Sequence, residues 1–304
     1  MLLDRRSILL LGAAVSLARW LPPEEASAQE GQLGIQLGEA AAFTAAMVRQ
    51  KARALASADY QPPENTLPER FADLTYDQLR DIRFRTEASL WRGEPAKYEL
   101  QFFHPGNVFT DTVRINVVDE GETRPILFSP ELFEYGPLLP QDLPKEGLGF
   151  SGFRVHAPIN GTEYLDEFLV FQGASYFRAV AKGEGYGLSA RGLAIGTADP
   201  QGEEFPAFRE FWIERPNPEA NSIVIHALLD SPSTSGAYRF TVREGEETVM
   251  DVESVLFPRV EISRVGIAPM TTMFLFSPHD RTGVDDYREA VHDSDGLLVF
   301  NGRG

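Results

Sequence analysis

From residue 97 onward the chain adopts a period of two. Lys97-Tyr98-Glu99-Leu100-Gln101-Phe102, Thr112-Val113-Arg114-Ile115-Asn116-Val117 and Ser222-Ile223-Val224-Ile225-His226-Ala227 alternate apolar with polar residues. A helix has no use for that pattern, whereas a strand with one buried face requires it. Further strands are expected at GFRVHAP, EFLVFQG, EFWIERP, AYRFTVR, TVMDVESVLF and TMFLFSP, set apart by Gly, Pro, Asn and Asp at spacings too short for crossover helices. The expected fold class is therefore all-β, a large antiparallel sandwich or barrel with a few short helices. No fixed-period repeat favours a solenoid or propeller.

Upstream the period is helical. EAAAFTAAMVRQKARALASADY places Phe43, Met47, Ala54 and Leu55 at helical spacings, and TYDQLRDIRF carries Tyr76, Leu79 and Ile82 behind a cap at Thr75 or Asp73. Residues 29–96 read as a helical lead-in and 97–304 as the sandwich. Residues 1–28 read as a secretory signal, because Arg5 and Arg6 precede the apolar run Ile8 to Leu17 and the small-x-small pattern Ala26-Ser27-Ala28. DRRSIL fits the twin-arginine route, so export to the periplasm with cleavage near Ala28 is expected.

Charge narrows the partners. The formal net charge is -17, and removal of the signal takes Asp4, Glu24 and Glu25 together with Arg5, Arg6 and Arg19, leaving that balance unchanged. Such a surface repels nucleic acid and favours a neutral or cationic partner. The absence of cysteine excludes disulfides and thiolate chemistry. The five histidines never form HxH or HxxxH, so no metal site is expected, and His156 and His226 read as satisfied sheet residues. GLSARGL and LLDSPSTSG lack a nucleophile elbow, and no glycine-rich stretch matches a nucleotide fingerprint. No cofactor is implied.

Carboxylates and aromatic rings remain. Glu203-Glu204, Asp230, Asp285-Asp286 and Asp293 with Asp295 each lie near aromatic residues or arginines, and two acids about 5 to 9.5 Å apart suffice to cleave a glycosidic bond. An acidic pair in a turn is more often a solvated turn, and that reading stands beside the catalytic one for Asp285-Asp286. Tyr176 and Arg178 in GASYFRA, with Tyr186 and Arg191 in GEGYGLSARG, are candidate ligand contacts because the flanking glycines allow close approach to the backbone. An inward tyrosine bonded to a neighbouring strand is the structural alternative.

The blocks YDQLRDIRF, LQFFHPG, GFRVHAPIN, DEFLVFQGASYFRA, YGLSARGLAI, GEEFPAFREFWIERP, ALLDSPSTSGAYRF, GIAPMTTMFLF and DDYREAVHDSDGLL closely resemble, in order, the periplasmic glucan biosynthesis proteins G and D. The resemblance implies a periplasmic protein of osmoregulated glucan synthesis, with a galactose-mutarotase-like sandwich followed by an immunoglobulin-like domain. It implies a β-glucan polysaccharide as ligand and a membrane glucosyltransferase of the same pathway as a partner. Members of the D type resemble inverting β-1,2-glucan hydrolases with two catalytic aspartates. Asp293 matches the one in the family's HDS[DN]G block, where it resembles the general acid. The second belongs to a segment well downstream, and this sequence stops at Gly304. The expectation is a chain that lacks the last strands of the sandwich, the second domain and the general base. Losing acid-base assistance commonly costs about 10²- to 10⁴-fold, so a non-catalytic carbohydrate-binding or scaffold protein is the alternative reading. Around Asp293 the expected substrate contacts are Tyr287, Arg288, His292 and Asp295, with Tyr176, Arg178, Tyr186, Arg191 and Glu204 along the groove.

Overall fold

The computed structural model describes residues 34–63, 67–185, 187–294 and 302–303. The signal segment 1–28, Tyr186 and Asp295 lie outside the described residues. Contacts gather Ile35–Gly304 into one unit. Among the described residues, seven strands form one sheet in the order Ala41–Ala42, Glu122–Pro125, Arg114–Asp119, Ala207–Glu214, Ile223–Asp230, Thr234–Arg243 and Val249–Pro258. Six strands form a second, in the order Met270–Thr271, Ser189–Arg191, Tyr176–Ala179, Asp166–Gln172, Gly152–Ala157 and Glu99–Phe103.

The two sheets meet through phenylalanine. Inward positions of the six-stranded sheet supply Phe153, Phe171 and Phe177, and the seven-stranded sheet answers with Phe208, Phe211 and Phe240. Ring centroids stand 5.0 Å apart for Phe153–Phe211, 5.5 Å for Phe171–Phe211, 5.0 Å for Phe171–Phe240 and 5.1 Å for Phe177–Phe240, all edge to face. This is the arrangement that ring quadrupoles favour, beyond the apolar area it buries. Gly152 is required where its strand passes closest to its neighbour, since a Cβ there would lie 2.2 Å from the Phe171 carbonyl oxygen.

Among the described residues the sandwich is antiparallel except at one seam. Ala207–Glu214 runs parallel to Arg114–Asp119, with Phe211 opposite Ile115. Between those strands the chain crosses over to build most of the six-stranded sheet, which supplies the long connection that a parallel pair needs.

The lead-in is part of this body. Ala41–Ala42 pairs with Thr123 and Glu122 at the sheet edge, and Ile82–Phe84 pairs with Phe133–Tyr135. The helix occupies Ala45–Ala56 and turns Val48 and Ala52 inward, packing with Phe43 and Leu55 on Val118, Trp212, Leu228 and Ala237 on the outer face of the seven-stranded sheet. Ala54, expected on the buried face, is exposed, because Val48, Ala52 and Leu55 follow the i, i+4, i+7 stripe that a sheet-packed helix needs. Thr75 closes a capping box with Gln78 on the short helix Tyr76–Arg80. Ile82 already lies in the strand that follows.

His104 is held inside an aromatic cage of Phe71, Phe128, Phe133 and Tyr135. Its Nδ1 donates to the Pro105 carbonyl at 2.6 Å, and Nε2 lies 3.1 Å from the Tyr135 hydroxyl. Burial lowers its pKa from the ordinary 6.5 to about 4. Between those values the unfolded chain binds more protons than the folded one, so stability is full above about pH 6.5 and drains away as the pH falls to about 4, by about 3 kcal/mol in all. Denaturant unfolding across this window should show that slope, and His104→Gln should reduce it, leaving the part due to His156, whose pKa burial also lowers. Phe171→Ala, at the centre of the phenylalanine seam, should cost about 3–5 kcal/mol by the same measurement at neutral pH.

Candidate functional site

Every strand with its aromatic residues turned inward presents its alternate positions outward. On the six-stranded sheet those positions align across the strands. Gln101 is opposite Arg154, Arg154 opposite Val170, Val170 opposite Arg178, Arg178 opposite Ser189, and Ser189 opposite Thr271. One register step away, Glu99 and Glu167 flank His156, and Tyr176 faces Arg191. The loops 158–165 and 180–185 wall one end of this face and close it into an open groove of about 760 Å³. Asn160 ties the two loops together by accepting the Gly183 N–H at 2.8 Å.

Three arginines line the groove, each tied to a carboxylate. Arg154 donates to Glu167 at 2.8 Å, Arg178 lies 3.8 Å from the same carboxyl group, and Arg92 donates to Glu99 at 2.8 Å. Asp166, Glu163 and Glu184 add further negative charge, so acids outnumber bases along the lining. Tyr164 stands at the rim, 68% exposed. The result is a field of fixed, planar hydrogen-bonding groups with no excess of positive charge, suited to a neutral polyhydroxyl ligand rather than an anion.

Beyond Arg178 the face continues into an aromatic clamp. The Arg191 guanidinium lies 5.7 Å from the Tyr176 ring centre and 5.5 Å from that of Phe205, and it pairs with Glu203. Glu203 also accepts from Thr197 at 3.1 Å. Phe205 remains 52% exposed beside the buried Arg191. Tyr176, Arg178 and Arg191, which the sequence singles out, therefore share one face. Glu204 is engaged elsewhere: both its oxygens accept from Ser233, from the backbone N–H at 2.9 Å and the hydroxyl at 2.6 Å, which places it at the turn into strand Thr234–Arg243. Gly196, close by, turns the chain at φ 65°, in the left-handed region that favours glycine.

Asp293 hangs from the hairpin next to the edge of the same sheet. Its backbone N–H donates to the Met273 carbonyl at 2.7 Å, and its Oδ2 accepts from the Met273 N–H at 3.1 Å, two residues beyond the edge strand Met270–Thr271. His292 stacks on Phe274 at 5.5 Å. Tyr287 is almost wholly exposed. Arg288 grips Asp286 in a bidentate pair at 2.9 and 2.6 Å, and that pairing holds the Asp286 carboxyl far below the usual carboxylate range. Asp286 is thus an ionised structural partner, in keeping with the solvated-turn reading.

His226 and His156 divide. The His226 Nε2 meets Glu214 at 2.7 Å beneath Phe43, a satisfied sheet histidine as expected. His156 makes one bond, from Nδ1 to the Leu165 carbonyl at 3.2 Å, and its Nε2 is buried without a partner. Arg154, His156, Glu167 and Tyr164 were not singled out as ligand contacts. The signal that would have found them is the alternation in GFRVHAP, which puts Arg154 and His156 on either side of the buried Val155.

Fold and groove together define an all-β sandwich protein with an open, ion-paired polar face on one sheet. Residues 43–304 match the family described as "Periplasmic glucan biosynthesis protein, MdoG", and the chain belongs to that family. It is similar to "Glucans biosynthesis protein G" of Vibrio cholerae serotype O1, 53% identical over 270 residues that cover 89% of this chain and 50% of the relative. It is also similar to the protein of the same name from Bradyrhizobium diazoefficiens, 51% identical over 302 residues that cover 99% of this chain and 58% of the relative. The chain thus spans about half the length of these curated relatives. Among the described residues no helix is long and apolar enough to cross a membrane.

The Arg191–Glu203 pair makes a direct prediction. Arg191 is buried, so Glu203→Gln should leave its charge uncompensated and lower stability by about 3 kcal/mol, read as a fall in the denaturant midpoint.

Proposed function

We propose that this chain handles a β-glucan in the periplasm, holding it along the outer face of the six-stranded sheet. Membership in a periplasmic glucan biosynthesis family supports the compartment and the pathway. The observation that carries the ligand assignment is the register row from Gln101 through Arg154 and Arg178 to Ser189, continued by Tyr176, Arg191 and the open ring of Phe205. Fixed planar donors and acceptors meet hydroxyl groups, while exposed ring faces cover the apolar faces of pyranoses. A membrane glucosyltransferase of the same pathway is the proposed protein partner.

Within this reading Asp293 is the proton donor for trimming a β-1,2-glucan, placed beside the sheet edge where a strand of sugar leaving the groove would pass. A second reading is a non-catalytic glucan holder that assists export or modification. It is favoured by two observations: the Asp293 carboxylate is occupied by the Met273 N–H, and Asp286 is locked by Arg288.

Both readings require binding. Calorimetric titration with linear β-1,2-glucan should show saturable binding that Asp293→Asn leaves intact and Arg178→Ala weakens by about tenfold or more. Release of reducing ends by the native chain, reduced about 10²-fold or more in Asp293→Asn, would establish trimming. Binding without release at any pH would establish the holder. No saturable binding would overturn the proposal.

A further inference from the structure

The loop 180–185 walls the groove with little to anchor it. After Val180 it reads Ala181-Lys182-Gly183-Glu184-Gly185, a stretch with no large apolar side chain to bury and two glycines that add backbone freedom. Gly183 stands at φ 77°, in the left-handed region. Val180, Glu184 and Gly185 line the groove, so the place of this loop sets the width of that end. A segment of this composition keeps one position only through hydrogen bonds supplied by its surroundings.

Those bonds come from two sides. From the other wall, Asn160 accepts the Gly183 N–H. From the opposite layer comes the turn 244–248, which joins strands Thr234–Arg243 and Val249–Pro258 of the seven-stranded sheet. The Thr248 hydroxyl donates to the Val180 carbonyl at 2.7 Å, and the Lys182 N–H donates to the Gly245 carbonyl at 2.9 Å. The Lys182–Glu246 ion pair beside them is exposed and adds little. The turn is itself fastened at its other end. The Glu244 side chain, only 4% exposed, pairs with Lys97 and accepts from the Tyr98 hydroxyl at 2.6 Å. Tyr98 is wholly buried, its ring centre 6.0 Å from that of Phe168. The turn thus reaches from the entry of strand Glu99–Phe103 to the exit of strand Tyr176–Ala179, both groove strands, while its own residues lie outside the groove lining.

We propose that the turn 244–248 is a clip that fixes the groove wall from the opposite layer, with the Thr248 hydroxyl and the Gly245 carbonyl as positioning groups for a ligand that neither one touches. That this ligand is a glucan rests on the reading given above. Without the clip, the loop 180–185 is left to the Asn160 bond and its own glycines. Val180 and Glu184 must then be ordered when the ligand binds, at a cost in affinity.

The test replaces Thr248 by valine, which keeps the branched shape and removes the hydroxyl, with Thr248→Ser alongside. Hydrogen exchange of the whole chain, read by mass spectrometry, needs no ligand. Thr248→Val should speed exchange over 180–185 by about fivefold and leave the central strand Ile223–Asp230 unchanged. Calorimetric titration with linear β-1,2-glucan should show affinity weakened by about threefold to fivefold, and Thr248→Ser should restore both readouts. Unchanged exchange over 180–185 in Thr248→Val overturns the clip, as does a rise spread equally over Ile223–Asp230 or a serine variant that restores nothing. Faster exchange with undiminished affinity overturns the positioning role. If the wild type shows no saturable binding, the glucan reading falls, and the exchange alone decides whether the turn holds the wall. Should Thr248→Val fail to fold by circular dichroism, Thr248→Ala takes its place in both measurements.

Discussion

Phe171 stands where the two sheets meet, with Phe153 and Phe177 beside it and Phe208, Phe211 and Phe240 across from it. Large rings packed edge to face leave little room for sliding, so this seam fixes the register of each strand that contributes to it. The opposite face inherits the alignment. Arg154, Val170 and Arg178 lie in one row because their neighbours in sequence are locked in the interior. A slip of one residue would exchange the two faces, burying guanidinium groups and exposing phenylalanine. Core and groove are two readings of the same alternation.

The charge of the chain acquires a local meaning on this face. A protein with a formal charge of -17 still places arginines on its groove face, and each is tied to glutamate. Such pairing removes the net attraction for anions while keeping the planar geometry of the donors. It also orients the side chains in advance, which would lower the ordering cost of any contact made with them. Arg191, stacked between Tyr176 and Phe205, has little freedom left to lose.

Much of this architecture was legible from periodicity. Strands expected at GFRVHAP, EFLVFQG and AYRFTVR appear within a few residues of their places, because alternation and burial are two aspects of one pattern. The parallel seam between Arg114–Asp119 and Ala207–Glu214 was not legible, since pairing partners distant in sequence leave no local mark. Tyr176, Arg178 and Arg191 were visible through their glycine-flanked setting. The sequence presents His156 as a satisfied sheet residue because nothing in it tells which ring nitrogen finds a partner. Glu204, chosen for its charge, caps a turn through Ser233, a local hydrogen-bonding role that composition does not distinguish from ligand contact.

The parallel seam also governs how the molecule can be assembled. Arg114–Asp119 must wait for Ala207–Glu214, and between them the chain lays down four strands of the other layer. Neither layer can be completed as a set of local hairpins, so the chain is committed to a slow, global search in which distant segments close last. The connection that closes the parallel seam is thus the same stretch of chain that carries most of the groove strands.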